Sequence, residues 1–291
     1  MEVTINQTPI ERVNDPELAP YGVELLVKRD DLIHPTVSGN KWRKLKYNIS
    51  EARDKRFDTL LTFGGAFSNH IYATAAGGRL FRLNTIGIIR GEETKPLNNT
   101  LEFAISQGMK LHYMDREKYR KKTSPEVIAE LKERFGNFYL VPEGGSNNLA
   151  VRGVAEIIPE IDQGFDCICT AVGTGGTLAG LVAGLGGKKK VLGIASLKGA
   201  DFLKEDVTQL IKDFNGQAYD NWSVNLDYHF GGYAKSTPEL LAFMKKFERA
   251  NKIPLEFIYT GKMMYAIYEL IKNGYFKKGE TVLALHTGGI R

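Results

Sequence analysis

The chain has 291 residues, of which 43% are hydrophobic and 25% charged, a composition that excludes a disordered or fibrous protein. Its formal charge of +5 comes from basic residues scattered among acidic ones, apart from a run at 188–190, so we expect no nucleic-acid surface. No apolar run approaches the ~18 residues that cross a membrane, and residues 1–14 lack the apolar core of a signal peptide. We therefore expect a cytoplasmic protein without membrane contact.

The two cysteines, Cys167 and Cys169, lie two residues apart in an apolar run. In a strand they would point to the same face, where they cannot form a good disulfide. We expect buried thiols in a reducing compartment, and no metal site because partner ligands are missing.

Short apolar runs alternate with helical patterns along the chain. This alternation predicts right-handed βαβ units and parallel sheets, and its repetition predicts two three-layer α/β domains. Strands are predicted at 23–27, 59–63, 85–89, 111–114, 138–141, 167–172, 191–195 and 281–285. Helices are predicted from 41, at about 68–81, 98–107 and 125–135, and from 149 and 178.

Lys41 follows a Gly-Asn turn that favours the start of a helix. We expect Asn40 to cap that helix and Lys41 to lie in its first turn, where the positive end of the helix dipole disfavours an ammonium. A lysine held there and partly desolvated would lose its proton easily, as Schiff-base chemistry requires. The alternative is a solvated lysine beside Arg43 and Lys44.

Three glycine-containing loops follow predicted strands. In the first, Ser68 and Asn69 stand where a helix begins, and the N–H groups of such a terminus bind carboxylates or phosphates. Ser68 could equally be a simple N-cap. The third loop is 286–289, near the end of the chain.

The second loop is the best candidate for a phosphate site. Its glycines allow close approach of the backbone to an anion, and its threonines can donate hydroxyls. It matches neither a Walker loop nor a dinucleotide fingerprint. The loop reads Gly173, Thr174, Gly175, Gly176 and Thr177.

Taken together, these motifs resemble the pyridoxal-phosphate enzymes of the tryptophan synthase β-like fold. Within them the chain is similar to the branch of D-cysteine desulfhydrases and 1-aminocyclopropane-1-carboxylate (ACC) deaminases. The resemblance runs from about residue 29 to 289 and rests on Asn40-Lys41-x-Arg43-Lys44-Leu45, Ser68-Asn69-His70, the loop 173–177, Tyr259-Thr260-Gly261-Lys262 and His286-Thr287-Gly288-Gly289.

The resemblance implies a role for each motif. Lys41 would form the Schiff base with pyridoxal 5′-phosphate, Lys44 and loop 173–177 would bind its phosphate, and Asn69 would lie beside its 3′-oxygen. Ser68 and the N–H groups after it would bind the substrate carboxylate, and Ser68 could assist proton transfer.

The same resemblance assigns the rest of the site. Tyr233 and Tyr259 would be the two active-site tyrosines, and His70 would join Ser68 and Asn69 on the substrate side. Thr260 and Thr287 would line the ring-nitrogen side of the cofactor.

The family also implies a domain plan. A small domain, residues 48–144, would be inserted in a large one formed by residues 1–47 and 145–291, with the cofactor in the cleft between them. The family is typically homodimeric.

Chemistry separates the two activities of this branch. A carboxylate beside the ring nitrogen deepens the electron sink that opening a cyclopropane needs, whereas expelling sulfide needs less help. ACC deaminases carry Glu where this chain has Thr260, Leu where it has Thr287, and tend to have Gln where it has His70. These differences favour β-elimination from D-cysteine; ACC deamination is the alternative, and Phe67, where desulfhydrases tend to have Gln, leaves another small amino acid open.

Overall fold

The structure, a computed structural model, describes residues 5–290. The strands are β1 (Ile10–Arg12), β2 (Glu24–Lys28), β3 (Thr59–Gly64), β4 (Asn84–Arg90), β5 (Met109–Met114), β6 (Tyr139–Val141), β7 (Cys167–Val172), β8 (Lys190–Ala195), β9 (Trp222–Asn225) and β10 (Thr281–Leu285). The helices are α1 (Asn40–Asp54), α2 (Asn69–Phe81), α3 (Asn99–Ser106), α4 (Arg116–Arg120), α5 (Pro125–Phe135), α6 (Asn148–Ala155), α7 (Gly176–Leu185), α8 (Leu203–Asn215), α9 (Pro238–Asn251) and α10 (Thr260–Lys272). Within residues 5–290, no helix has the length and apolar character needed to cross a membrane.

The strands form two sheets that are parallel except at one edge. The larger has the order β1-β2-β10-β7-β8-β9, in which only the β1–β2 pair is antiparallel. The smaller, β5-β4-β3-β6, is wholly parallel. Parallel neighbours need a crossover between them, which is why helices alternate with strands along the chain. The predicted α/β class with parallel-rich sheets is confirmed.

The two sheets use separate parts of the chain. All four strands of the smaller sheet fall between residues 59 and 141, and those of the larger lie on either side. The predicted insertion of a small domain, residues 48–144, agrees with this distribution but stays a prediction, and its first boundary falls inside α1.

The two cysteines lie on one face of β7. Cys167 and Cys169 are 3% and 0% exposed and belong to the apolar cluster against α9 and α10, whereas Ile168 faces the cluster formed with α6, α7 and α8. Both thiols are free. Among the residues described, no group of three His, Cys, Asp or Glu side chains could hold a metal ion.

Helix α1 is packed on both sides. Its predicted apolar positions, Leu45, Ile49 and Ala52, are at most 1% exposed and contact the smaller sheet and α2. On the other side, a Cβ added at Gly153 of α6 would lie 2.0 Å from the Arg43 carbonyl oxygen, so the two helices touch backbone to backbone. This packing fixes the helix that begins at the candidate site.

A buried ion network anchors the same helix. The Arg43 guanidinium donates to Asp30 at 2.9 Å and also pairs with Glu160, and the Asp30 carboxylate, which is fully buried, accepts the Thr8 hydroxyl at 3.2 Å. Such a network is costly to break from one side, because the remaining charge is left without compensation.

We predict that Arg43→Met lowers the free energy of unfolding by about 3 kcal/mol or more, because it leaves the Asp30 carboxylate buried without its guanidinium. Lys46→Met is the matched control on the same helix: its partner Glu156 is about one-third exposed, so its loss should stay below about 1 kcal/mol. Urea unfolding of both variants measures the difference. An equal decrease in the free energy of unfolding in both variants would contradict the stabilising role of the Arg43 network.

Candidate active site

A cavity of about 410 Å³ lies where the carboxyl ends of strands from both sheets meet. Its wall comes from the start of α1, from the end of β4 and the segments after β3 and β6 of the smaller sheet, and from the segments after β7, β8 and β10 of the larger one. This edge is where open parallel sheets bind ligands. The predicted site residues on the wall are Lys41, Lys44, Ser68, Asn69, His70, Gly173, Thr174, Gly175, Gly176, Thr177, Tyr233, Tyr259 and Thr287.

The start of α1 is held between two loops. Gly39 has a φ of +60°, and a Cβ there would lie 2.0 Å from the Thr287 carbonyl oxygen, so no other residue fits. The prediction that Asn40 caps α1 is wrong: it is the first helical residue, and its side chain donates to the Thr177 hydroxyl at 2.8 Å instead. Lys41 does lie in the first turn, as predicted.

Lys41 presents an amine suited to covalent chemistry. Burial lowers its pKa to about 8, although the Glu256 carboxylate acts in the opposite direction. At pH 7 this raises the neutral fraction from roughly 1 in 3,000 to roughly 1 in 10. No side-chain hydrogen bond ties its Nζ to another residue within 5–290, so the amine is free to react.

Lys44 forms the centre of an anion site. It is 1% exposed and donates to the Ser146 hydroxyl at 2.9 Å, and burial together with the charge of Lys41 holds its pKa well below the usual range. No carboxylate in the described part of the chain pairs with it. An anionic ligand beside such a buried amine would favour its charged form and pair with it.

The glycine loop after β7 completes this anion site. Thr174 bonds to Ser146 at 2.7 Å, and a Cβ added at Gly176 would lie 2.6 Å from the Ser146 hydroxyl and 2.9 Å from the Lys44 Nζ. Because α7 begins at Gly176, its positive end faces the same place. Lysine, hydroxyls and a helix N-terminus together fit a phosphate group.

Ser146 was not among the predicted site residues. It follows β6 in the stretch Gly144-Gly145-Ser146, which is the same combination of strand end and glycines that marked the other loops. That signal was available in the sequence.

Ser68 is both an N-cap and part of the cavity wall. Its Oγ accepts the N–H groups of His70 at 3.2 Å and Ile71 at 3.3 Å. These two N–H groups therefore point at Ser68 and not at the cavity. Since both lone pairs of the hydroxyl are used, its proton is the group left to donate to a ligand.

His70 lines the cavity but is anchored away from it. It is 1% exposed, and its Nε2 bonds to the Thr62 hydroxyl at 2.7 Å. Burial, followed by the charges of Lys41 and Lys44, holds its pKa well below the usual range, so the ring is neutral. Its neighbour Asn69 packs against the last glycine loop.

The two predicted tyrosines form a pair. The ring centroids of Tyr233 and Tyr259 are 6.3 Å apart in an edge-to-face arrangement. Burial, with smaller effects of Tyr233 and Glu256, raises the pKa of Tyr259 well above its usual value, so its phenol stays protonated. The pair can therefore donate hydrogen bonds to a ligand in the cavity.

Of the two threonines, the structure brings only Thr287 to the cavity. Thr260 is fully buried outside the wall, and its hydroxyl accepts the N–H of Glu256 at 3.0 Å. The Glu256 carboxylate in turn accepts the N–H groups of Tyr259 and Thr260 at 2.7 and 2.8 Å, which caps α10. The predicted contact of Thr260 with the cofactor is thus corrected: its side chain belongs to the cap.

A charged group on the cavity wall, at the end of β4 and after α4 and β6, could not be predicted from sequence patterns. Glu143 accepts the Tyr119 hydroxyl at 2.9 Å and pairs with Lys122 at 3.0 Å, and Arg90 lies nearby over the Tyr119 ring. These residues follow no recognisable spacing, because three separate segments contribute them.

Comparison with known proteins agrees with this geometry. The mitochondrial bifunctional D-cysteine desulfhydrase/1-aminocyclopropane-1-carboxylate deaminase of Arabidopsis thaliana is 35% identical and covers 97% of this chain and 76% of its own length. A crystal structure described as an ACC deaminase homologue superposes with a TM-score of 0.86 at 30% identity, over 99% of this chain and 91% of that one. A hydrogen sulfide-producing enzyme of Fusobacterium nucleatum, 17% identical, shares the fold with a TM-score of 0.70 over 98% of this chain and 96% of that one. Residues 1–288 match the family described as pyridoxal-phosphate dependent enzymes, and the chain belongs to that family.

Proposed function

We propose that this pyridoxal-phosphate enzyme catalyses β-elimination from D-cysteine, giving pyruvate, ammonia and hydrogen sulfide with uptake of one water. The observation that carries this choice is the uncharged side chain of Thr287 on the cavity wall, because a carboxylate at that position would deepen the electron sink that opening a cyclopropane needs. ACC deamination is the second candidate, because the relatives' names include it.

The residues present fit the cofactor. Lys44, Ser146 and the loop 173–177 would hold its phosphate, and Lys41 would hold it covalently. When bound, pyridoxal phosphate supplies an electron sink for the negative charge that forms at the substrate α-carbon. Asn69, beside the last glycine loop, would contact the ring substituents.

The substrate would be oriented by Ser68. Its hydroxyl proton, directed outward by the two N–H groups that occupy its lone pairs, would donate to the substrate carboxylate. Here Ser68 acts as a donor, and its occupied lone pairs make it a poor base.

Two proton movements complete the reaction. The free Lys41 amine, with its lowered pKa, would take the proton from the α-carbon. Tyr259 or Tyr233 would give a proton to the departing sulfur or orient the substrate. The bond between the β-carbon and sulfur breaks, and hydrolysis of the remaining product releases ammonia.

Three further features stay predictions from the sequence. They are a homodimer, a cytoplasmic location and the division into domains at 47/48 and 144/145. The segregation of strands between the two sheets supports the last of these.

We predict that Lys41→Ala abolishes covalent attachment of the cofactor and lowers the rate of pyruvate release by several orders of magnitude, because nucleophile and base are lost together. Borohydride reduction followed by protein mass measurement tests attachment, and a pyruvate assay tests turnover. Lys46→Met, on the same helix, is the control that should retain both. Normal turnover in Lys41→Ala without added amines would contradict the assignment.

Lys44→Met should have opposite effects on binding and stability. Losing a charge-assisted bond to the phosphate should weaken cofactor affinity by about 10- to 100-fold. The cofactor-free protein should be as stable as wild type or more so, because a desolvated amine with one side-chain hydrogen-bond partner is gone. Cofactor titration and urea unfolding of the cofactor-free protein measure the two effects, and an unchanged affinity would place the phosphate elsewhere.

Thr287 offers a test of the substrate. Thr287→Asp and Thr287→Asn differ in charge but hardly in size. If Thr287 faces the ring nitrogen, the carboxylate should raise kcat/KM for ACC relative to D-cysteine, and the amide should not. Wild type should prefer D-cysteine. A wild type that prefers ACC, or identical ratios in the two variants, would contradict the proposed substrate or the placement of Thr287.

A further inference from the structure

Lys262 is a fully buried lysine with every donor in use. Its Nζ donates to three backbone carbonyls: Gly232 at 2.7 Å, His229 at 2.8 Å and Ser196 at 3.3 Å. An ammonium has three protons, so the group is satisfied without any ligand. It is not among the residues that line the cavity.

Two of those carbonyls belong to the loop that carries Tyr233. Residues 226–237, between β9 and α9, contain no helix or strand. Phe230 and Ala234 have φ values of +51° and +54°, which side-chain-bearing residues rarely adopt. Such conformations persist where the surroundings hold them, and the Lys262 ammonium contacts the loop directly before Phe230 and again at Gly232, between the two positions.

The third carbonyl ties the loop to the larger sheet. Ser196 follows β8 directly, and a Cβ added at Gly232 would lie 3.4 Å from the Lys198 Cβ, so the loop is seated on residues 196–198. Leu197, between them, is on the cavity wall. Lys262 itself lies in the first turn of α10, three residues after Tyr259. One side chain therefore joins the segments that carry both tyrosines.

We propose that Lys262 is a positioning residue that fixes Tyr233 against Tyr259 by holding the Tyr233 loop on the end of β8. The catalytic value of this arrangement rests on the proposed function, in which the tyrosines donate a proton or orient the substrate. The arrangement of the loop and the two tyrosines does not depend on the proposed function.

Lys262→Met is the direct test, because methionine keeps much of the apolar stem and removes all three donors. We expect faster amide hydrogen exchange at 228–236 and a lower kcat for pyruvate release from D-cysteine. Cofactor absorbance should be unchanged. Lys28→Met is the matched control: it also removes a buried lysine that donates to a carbonyl, that of Thr8, but leaves the loop untouched. It should lower thermal stability without altering exchange at 228–236.

A double-mutant cycle with Tyr233→Phe separates positioning from general destabilisation. Tyr233→Phe alone should lower kcat by 10-fold or more relative to wild type. If Lys262 acts through Tyr233, the double variant should have a kcat less than 2-fold below that of Lys262→Met. Effects that multiply independently, or loop exchange equal to that of Lys28→Met, would overturn the proposal.

Two controls keep the test decisive. If Lys262→Met does not fold, Lys262→Gln, which retains two donors on a shorter stem, should show the same changes to a smaller degree, and wild-type exchange in it would count against the proposal. The exchange measurement needs no substrate. Failure of the proposed activity would instead show as absence of pyruvate release by the wild-type enzyme.

Discussion

The hydrogen bond from Asn40 to Thr177 is the contact on which the site depends. It joins the first residue of α1 to the glycine loop after β7, across 137 positions of sequence. On its other side, the same helix start touches the Thr287 carbonyl through Gly39. Lys41 is thereby placed between a phosphate cup and the loop after the central strand β10, and neither loop could shift without moving the reactive amine.

The site concentrates positive charge that the folded chain alone does not neutralise. Burial lowers the pKa of Lys41, and burial together with the charge of Lys41 holds the pKa of Lys44 well below its usual range. By contrast, Arg43, between them in sequence, faces away into a pair with Asp30 and Glu160. One face of the helix thus carries Arg43, whose charge is paired within the protein. Another carries Lys41 and Lys44, which would be paired by a bound anion.

Local sequence patterns predicted what local structure determines. Strand ends followed by glycines identified three of the loops, and the apolar spacing of α1 gave its buried face, because both depend on neighbouring residues. The predictions for Asn40 and Thr260 were wrong because a side chain can bond either within its own helix cap or to a distant group. Asn40 bonds to the distant Thr177, and Thr260 bonds within its cap. Glu256, four residues before Thr260, accepts the Thr260 N–H through its carboxylate, and its own N–H donates to the Thr260 hydroxyl. Arg90 and Lys122 gave no signal, because only the packing of separate segments brings them together.

Lys41 and Lys262 have similar electrostatic environments but different roles. Burial lowers the pKa of both Lys41 and Lys262 to about 8, and Glu256 opposes it in each case. A perturbed pKa alone would therefore nominate either as the reactive amine. Their hydrogen bonds distinguish them. Lys262 donates all three protons to carbonyls and would lose one of these bonds on deprotonation. Lys41 lines the cavity and would lose no hydrogen bond to the protein. An amine can act as a nucleophile where the folded protein does not use its proton in a hydrogen bond. Of these two lysines, Lys41, at the start of α1, meets that condition.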